Sequence, residues 1–222
     1  LRLSKDETIV RMPFEVRHMG SKYPIFSFDF TGAKRGVLPA SYDYLRLEGR
    51  MQYRLNLPPI GYSQLMLEGG KIFGKVPYLL LKLHEGNGTY FYDRYAFSCM
   101  NFYEFSSDAW ISFFYEHHFN GFLLGRVPLL KKLNWREVFV FKGVYGTLSA
   151  RNDGSLPNTK AVMLFPVGMS SVEHPYLETG FGIENIFRLL RVDCIWRLTH
   201  HRAVPGLSIP TFTVNFSLNL KF

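Results

Sequence analysis

Thr211–Phe222 reads TFTVNFSLNLKF. Phe212, Val214, Phe216, Leu218, Leu220 and Phe222 take every second position, and Thr211, Thr213, Asn215, Ser217, Asn219 and Lys221 fill the others. Successive side chains of a strand point to opposite faces, so this stretch has one apolar and one polar face. A soluble sandwich accepts such a strand with its polar face in bulk water. A bilayer accepts it too, because a tilted membrane strand crosses the hydrocarbon in roughly 9 to 11 residues, with apolar side chains toward lipid and polar ones toward a lumen. The length of the stretch and its final aromatic match the membrane case.

The same period of two recurs upstream. Tyr23–Thr31 sets Phe26, Phe28 and Phe30 against Ser27, Asp29 and Thr31. Tyr44–Leu57 sets Leu45, Leu47, Met51, Tyr53 and Leu55 against Arg46, Glu48, Arg50, Gln52 and Arg54, and Pro58, Pro59 and Gly61 then turn the chain toward a return strand over Tyr62–Phe73. Gly69 and Gly70 mark a bend in that return. Ala96–Ser106 and Ala109–Phe119 read as a hairpin about Ser107 and Asp108. Pro77–Tyr95 has no clean period, and Asn120–Asn134 holds at most one helical turn after Pro128. Trp135–Ser149 alternates again, Arg151–Ser171 reads as a long loop, and Leu177–Asn185 and Leu189–Thr199 are strands joined tightly through Asn185–Arg188. With a poorer candidate at Thr8–Arg17 this makes about ten strands and no long helix.

Composition agrees with an aromatic-rich β protein: 17% of the 222 residues are aromatic, with 21 Phe and 13 Tyr, and a mean hydropathy of -0.03 averages over strands that are half very apolar. No run approaches the roughly 18 apolar residues of a membrane helix, which excludes a helical membrane protein. The chain starts at Leu1 with no initiator Met or signal peptide and is read as mature, trimmed or a fragment. Cys99 and Cys194 have no metal or redox spacing and are expected as free thiols.

Charges within strands keep to one face. Arg46, Glu48, Arg50 and Arg54 share a side, as do Glu178 and Glu184, and as do Arg191, Asp193 and Arg197. In a barrel these nine residues face the lumen. They then either pair across it, since an isolated buried ion costs several kcal/mol, or line a water-filled channel in which Arg46, Arg50, Arg54, Arg191 and Arg197 select anions. Counting back four strands from the C-terminus places Asn120–Asn134 at the same end as the C-terminus, unless a strand near Val162–Val167 changes the count.

Enzyme, metal and cofactor chemistry find no motif. His117 and His118, and His200 and His201, are adjacent pairs that a strand would send to opposite sides, which gives no metal-ligand spacing. His84, His117 or His118 with Ser107, Asp108 or Glu116 supply parts of a hydrolase but no G-x-S-x-G. No catalytic, metal or cofactor-binding residue is assigned, and no nucleic-acid signature accompanies the net charge of +8. The positive balance is expected in lumenal ion pairs and at the lipid head-group boundary, near Lys34, Arg35, Lys131, Lys132, His200, His201 and Arg202.

Asn101–Gly146, with EHHFNG and PLLKKLNWRE, and Tyr176–Arg197, with GIENIF and LRVD, resemble an uncharacterised outer-membrane family of Gram-negative bacteria whose members carry a carboxypeptidase-like regulatory domain ahead of a C-terminal barrel. On fewer residues, Gly180, Gly182, Arg191, Asp193 and the strand ending at Phe222 resemble the last strands of the BamA-like insertase and translocase superfamily. These resemblances imply an all-β transmembrane antiparallel β-barrel over residues 1–222, the C-terminal part of a longer chain, in the outer membrane of a Gram-negative bacterium. They imply a structural or translocation/assembly-type subunit of an envelope complex, with a porin-like diffusion channel for small solutes, anionic ones among them, as the alternative. Implied partners are outer-membrane lipid, the barrel-assembly machinery, for which Phe222 is the recognition signal, and other outer-membrane or periplasmic proteins.

Overall fold

A computed structural model gives the fold, described over residues 1–36, 41–155, 161–201 and 208–218. Nine strands form one antiparallel sheet: β1 (Arg2–Leu3), β2 (Ile25–Ala33), β3 (Tyr44–Asn56), β4 (Tyr62–Gly74), β5 (Ala109–His118), β6 (Arg136–Thr147), β7 (Tyr176–Ile186), β8 (Leu190–Arg197) and β9 (Phe212–Leu218). Each pairs with the next in sequence, an up-and-down meander. The alternation in the sequence and the pairing agree, because register places apolar residues opposite apolar ones. Phe30 faces Leu47, Leu67 faces Phe113, Phe139 faces Phe181, and Trp196 faces Phe212. A slip of one residue would move every one of these to the other face.

The sheet is open among the described residues, with β1 and β9 at its edges. The edge of β9 is partly occupied: Tyr92 donates its N–H to the Phe216 carbonyl and Phe216 donates to Tyr90, each at 2.7 Å, a parallel bridge to Phe91. Thr8–Arg11 and Val16–Gly20 form a separate hairpin, so the single weak strand expected over Thr8–Arg17 is two. Asn219–Phe222, including Phe222, lie outside the described residues.

One expectation is overturned. Ala96–Ser106 does not pair with β5, whose neighbours are β4 and β6. Only Phe105–Ser107 is extended there, in a small sheet with Lys82–Leu83 and Ser170–Ser171. The cause lies in where the backbone hydrogen bonds go: the N–H groups of Ser98 and Cys99 point at the Glu178 carboxylate, and Tyr103 takes a positive φ of 59°. Those donors cannot also serve a ladder. Residues 75–108 instead fold back over one face of the sheet. There Phe97, Met100 and Phe105 pack with Met66, Phe114, Val144, Val172 and Tyr176, and Val76 and Leu81 pack with Ile72 and Trp110.

Candidate functional site

Along β5, β7 and β8 charged side chains are buried while large apolar ones on alternate positions are exposed. In β7, Glu178, Gly180, Gly182 and Glu184 are buried while Phe181 is 58% exposed. In β8, Arg191, Asp193 and Arg197 are buried and Trp196 is exposed; in β5, Glu116 is 1% exposed while Ile111 is 55% exposed. The exposed side forms a continuous apolar surface in which Phe113–Phe141, Tyr115–Phe139, Phe139–Phe181 and Trp196–Phe212 rings lie in contact. Charges occupy the other, covered face.

Three groups of charges lie on that covered face. The first is built on β3 and β4. Arg46 pairs with Glu48 at 2.6 Å and Arg50 with Glu68 at 2.6 Å, and Lys82, from the covering segment, reaches Glu68 at 2.7 Å and Glu85 at 2.8 Å. The Trp110 indole also donates to Glu68, at 3.3 Å. Gly70 makes room for that ring, since a Cβ there would lie 2.5 Å from it. Arg54 stacks on Tyr62, 4.0 Å from the ring centre. Arg50 keeps 43% of its side chain exposed, so this group is half open.

The second group is sealed. Arg191 clasps Asp193 at 2.8 Å and reaches Glu116 at 3.1 Å. Glu116 also accepts from Arg94 at 2.7 Å and from the Tyr92 hydroxyl. His118 lies between Glu116 and Glu184, at 3.4 and 3.1 Å. Arg191 and Lys142 stand over the two sides of Tyr92, 4.4 and 4.5 Å from its ring centre. Asp193 has this room because its neighbour is Gly182, where a Cβ would come within 2.2 Å of its carboxylate.

The third group binds backbone. Glu178 accepts the N–H of Ser98 at 2.8 Å, the N–H of Cys99 at 2.7 Å and the hydroxyl of Tyr176 at 2.7 Å. Lys142 donates to the carbonyls of Asp93 and Ala96 at 2.8 and 2.6 Å. Arg197 pairs with Glu104 at 2.6 Å and donates to the carbonyls of Cys99 and His200. In the cover itself, His84 bonds Ser107 at 2.9 Å, and burial, then Lys82, pushes its imidazole down to about 3. Burial pushes the Cys99 thiol up to about 12, which keeps it an unreactive thiol.

The nine charges singled out from sequence therefore all stand on the covered face, but in separate groups. Arg46, Glu48, Arg50 and Arg54 sit on the half-open side, and Glu178, Glu184, Arg191, Asp193 and Arg197 on the sealed one. The partners that complete these groups, Glu68, Arg94, Glu104 and Lys142, were not in that set. Strand register offered a signal for two of them, because Glu68 lies opposite Arg50 and Lys142 opposite Glu178. Arg94 comes from Pro77–Tyr95, where no clean period exists to read, and Glu104 from Ala96–Ser106, which the sequence pattern misassigned to a strand.

The remaining candidates separate in space. His117 and His118 do point to opposite faces: His117 bonds Ser63 at 2.8 Å and the Ile60 carbonyl at 3.0 Å, with Tyr115 3.0 Å from Ser63. Ser63 and His117 are both buried. Among the described residues no three His, Cys, Asp or Glu side chains gather as metal ligands. Lys34, Arg35, His200 and His201 lie at one end of the sheet and Lys131 and Lys132 at the other, while Arg202 is outside the described residues.

A family model described as the C-terminal domain of a family of unknown function, DUF5686, matches residues 7–150, from the Thr8 hairpin through β6. No curated protein matches the chain.

Proposed function

The chain belongs to the DUF5686 C-terminal domain family, and from that premise we propose that its meander is the wall of a transmembrane β-barrel in a Gram-negative outer membrane. In this reading the protein is non-enzymatic, a structural or translocation/assembly-type subunit of an envelope complex. The observation that carries it is the inverted burial: Glu116, Glu178, Arg191 and Asp193 are sealed from solvent while Phe30, Ile111, Phe181 and Leu218 stand exposed on the opposite face. In water, exposing that many large apolar side chains on one surface forfeits on the order of 25 cal/mol per Å2. Lipid removes this cost. The covering segment, clamped by ion pairs, would act as an inner plug.

A second reading has its own observation. On the half-open side a cleft of about 890 Å3 is bordered by Gln52, Arg54, Gln64 and Arg94. This suits a diffusion path for small solutes past Arg54, with Asp6 and Glu7 on the same lining, whereas Arg46, Arg50, Arg191 and Arg197 are each engaged in ion pairs.

Two measurements test these readings. The purified chain should require detergent to stay monodisperse; a monodisperse preparation in plain buffer overturns the membrane wall. In planar bilayers the plugged wall gives no steady current. An ohmic anion current lowered by Arg50→Glu would instead establish the channel.

A further inference from the structure

We infer that one end of the sheet is a selective docking shelf for anionic phospholipid head groups. The inference rests on the membrane reading above and assigns it a ligand.

Three connections meet at this end. They are the 57–61 turn between β3 and β4, the 119–135 loop between β5 and β6, and the 187–189 turn between β7 and β8. The loop carries Arg126, Lys131 and Lys132 and contains no Asp or Glu. Arg188 adds a fourth cation on the adjoining turn. All four are exposed, and among the described residues none is in an ion pair. Exposed apolar side chains stand between them: Ile60, Leu123, Val127, Leu133, Leu189 and Phe187, the last 87% exposed. The other end differs, since Lys34, Arg35, Lys75 and Arg151 there are interspersed with Asp43, Asp153 and Glu173.

The shelf is built rather than loose. A single turn at Leu124–Arg126 runs into the helical turn Pro128–Lys131. Asn120 and Asn134 close the loop at positive φ, 54° each. The Glu137 carboxylate, the nearest acid in sequence, accepts the Leu124 N–H. Asn185 donates to the Asn134 carbonyl at 2.8 Å, joining the β7–β8 turn to the loop. Arg126 lies over the Phe122 ring at 4.2 Å, which holds its guanidinium at the rim.

Cations alone would suit any polyanion. What selects lipid is their position. Apolar tips and cations alternate where the apolar outer surface of β5 to β8 ends, the level at which acyl chains give way to phosphates. A soluble polyanion would meet the cations but would leave Phe187, Leu133 and Leu123 in water.

The test uses the full chain in a neutral detergent, titrated with phosphatidylglycerol, with phosphatidylcholine of the same acyl chains, and with inorganic phosphate, read by the thermal unfolding midpoint. Phosphatidylglycerol should bind at least about tenfold more tightly than phosphatidylcholine, because the attractions of several basic residues to an anionic surface add. The preference should vanish in the R126Q/K131Q/K132Q variant, whose lipid-free midpoint should match the parent's. Phe187→Ser should weaken both lipids alike. High salt should erase the preference in the unmodified chain, which provides a reading even if the triple variant folds poorly. Equal affinity for the two lipids, a preference that survives the triple variant, or equal stabilisation by inorganic phosphate overturns the shelf. A chain that still needs detergent would then leave the membrane reading standing, whereas detergent independence removes both.

Discussion

The two halves of the sheet carry the same sequence pattern and meet different fates. In β3, Arg46, Glu48, Arg50 and Arg54 sit on alternate positions, as Arg191, Asp193 and Arg197 do in β8. Yet Arg50 is 43% exposed while Asp193 is sealed completely. The difference is what lies on top. Residues 90–104 cross the face of β5 to β8, and three of the charged groups beneath meet partners from that segment: Tyr92 and Arg94 for Glu116, the Ser98 and Cys99 amides for Glu178, and Glu104 for Arg197. Over β3 and β4, among the described residues, Lys82 is the cation of the cover that reaches down, to Glu68 of β4. An ion pair in low dielectric is stabilising only when its remaining hydrogen-bonding capacity is met, so the cover is a condition for burying these charges at all.

This contrast can be broken at several points. Arg191→Met leaves Glu116 and Asp193 facing each other without their common cation and should cost about 3–5 kcal/mol, read as a lower unfolding midpoint in detergent. A loss under 1 kcal/mol would mean that the face is wet rather than sealed. Acid should attack the cover through His84. Its folded imidazole titrates near 3 against an ordinary 6.5, so between those values the unfolded chain holds the proton and the fold does not. Stability is full above about pH 6.5 and falls as pH drops, by on the order of 3 kcal/mol near pH 4. His84→Gln should shift the acid midpoint downward, and an unmoved midpoint assigns acid sensitivity to other groups. Glu178→Ala orphans two backbone N–H groups and should cost roughly 1–3 kcal/mol, with faster hydrogen exchange at Ser98 and Cys99 than elsewhere in the cover. Arg50→Gln, on the open half, should cost under about 1 kcal/mol. If Arg50→Gln proved as damaging as Arg191→Met, the distinction between the halves would fail.

Legibility followed periodicity. The strands read as Tyr44–Leu57, Tyr62–Phe73, Trp135–Ser149, Leu177–Asn185 and Leu189–Thr199 are observed within two residues at each end, and the helical turn after Pro128 is present. The bend expected at Gly69 and Gly70 has another meaning, since Gly70 admits the Trp110 ring. Asn120–Asn134 falls at the same end as the exit of β9, because Leu190 faces Leu218 where that loop also emerges, and no strand lies among 161–169 to change the count. What was misread is Ala96–Ser106, whose mixed pattern reflects a backbone that spends its donors on Glu178 rather than on a neighbouring strand.

By itself the sequence determined which residues share a face, because a strand's geometry allows only two directions and the charges of β3, β7 and β8 fall on one of them, although Val138, Val140, Val144 and Ile195 share that covered face. It also determined that the charges would be gathered rather than scattered. Which face is covered, and which charges meet, was decided only by the tertiary structure. Some of those contacts join residues far apart in sequence, 75 positions for Glu116 with Arg191 and 93 for Glu104 with Arg197. They depend on a segment with no repeat of its own, whose path is fixed by where the buried sheet offers acceptors for its amides and partners for its ions.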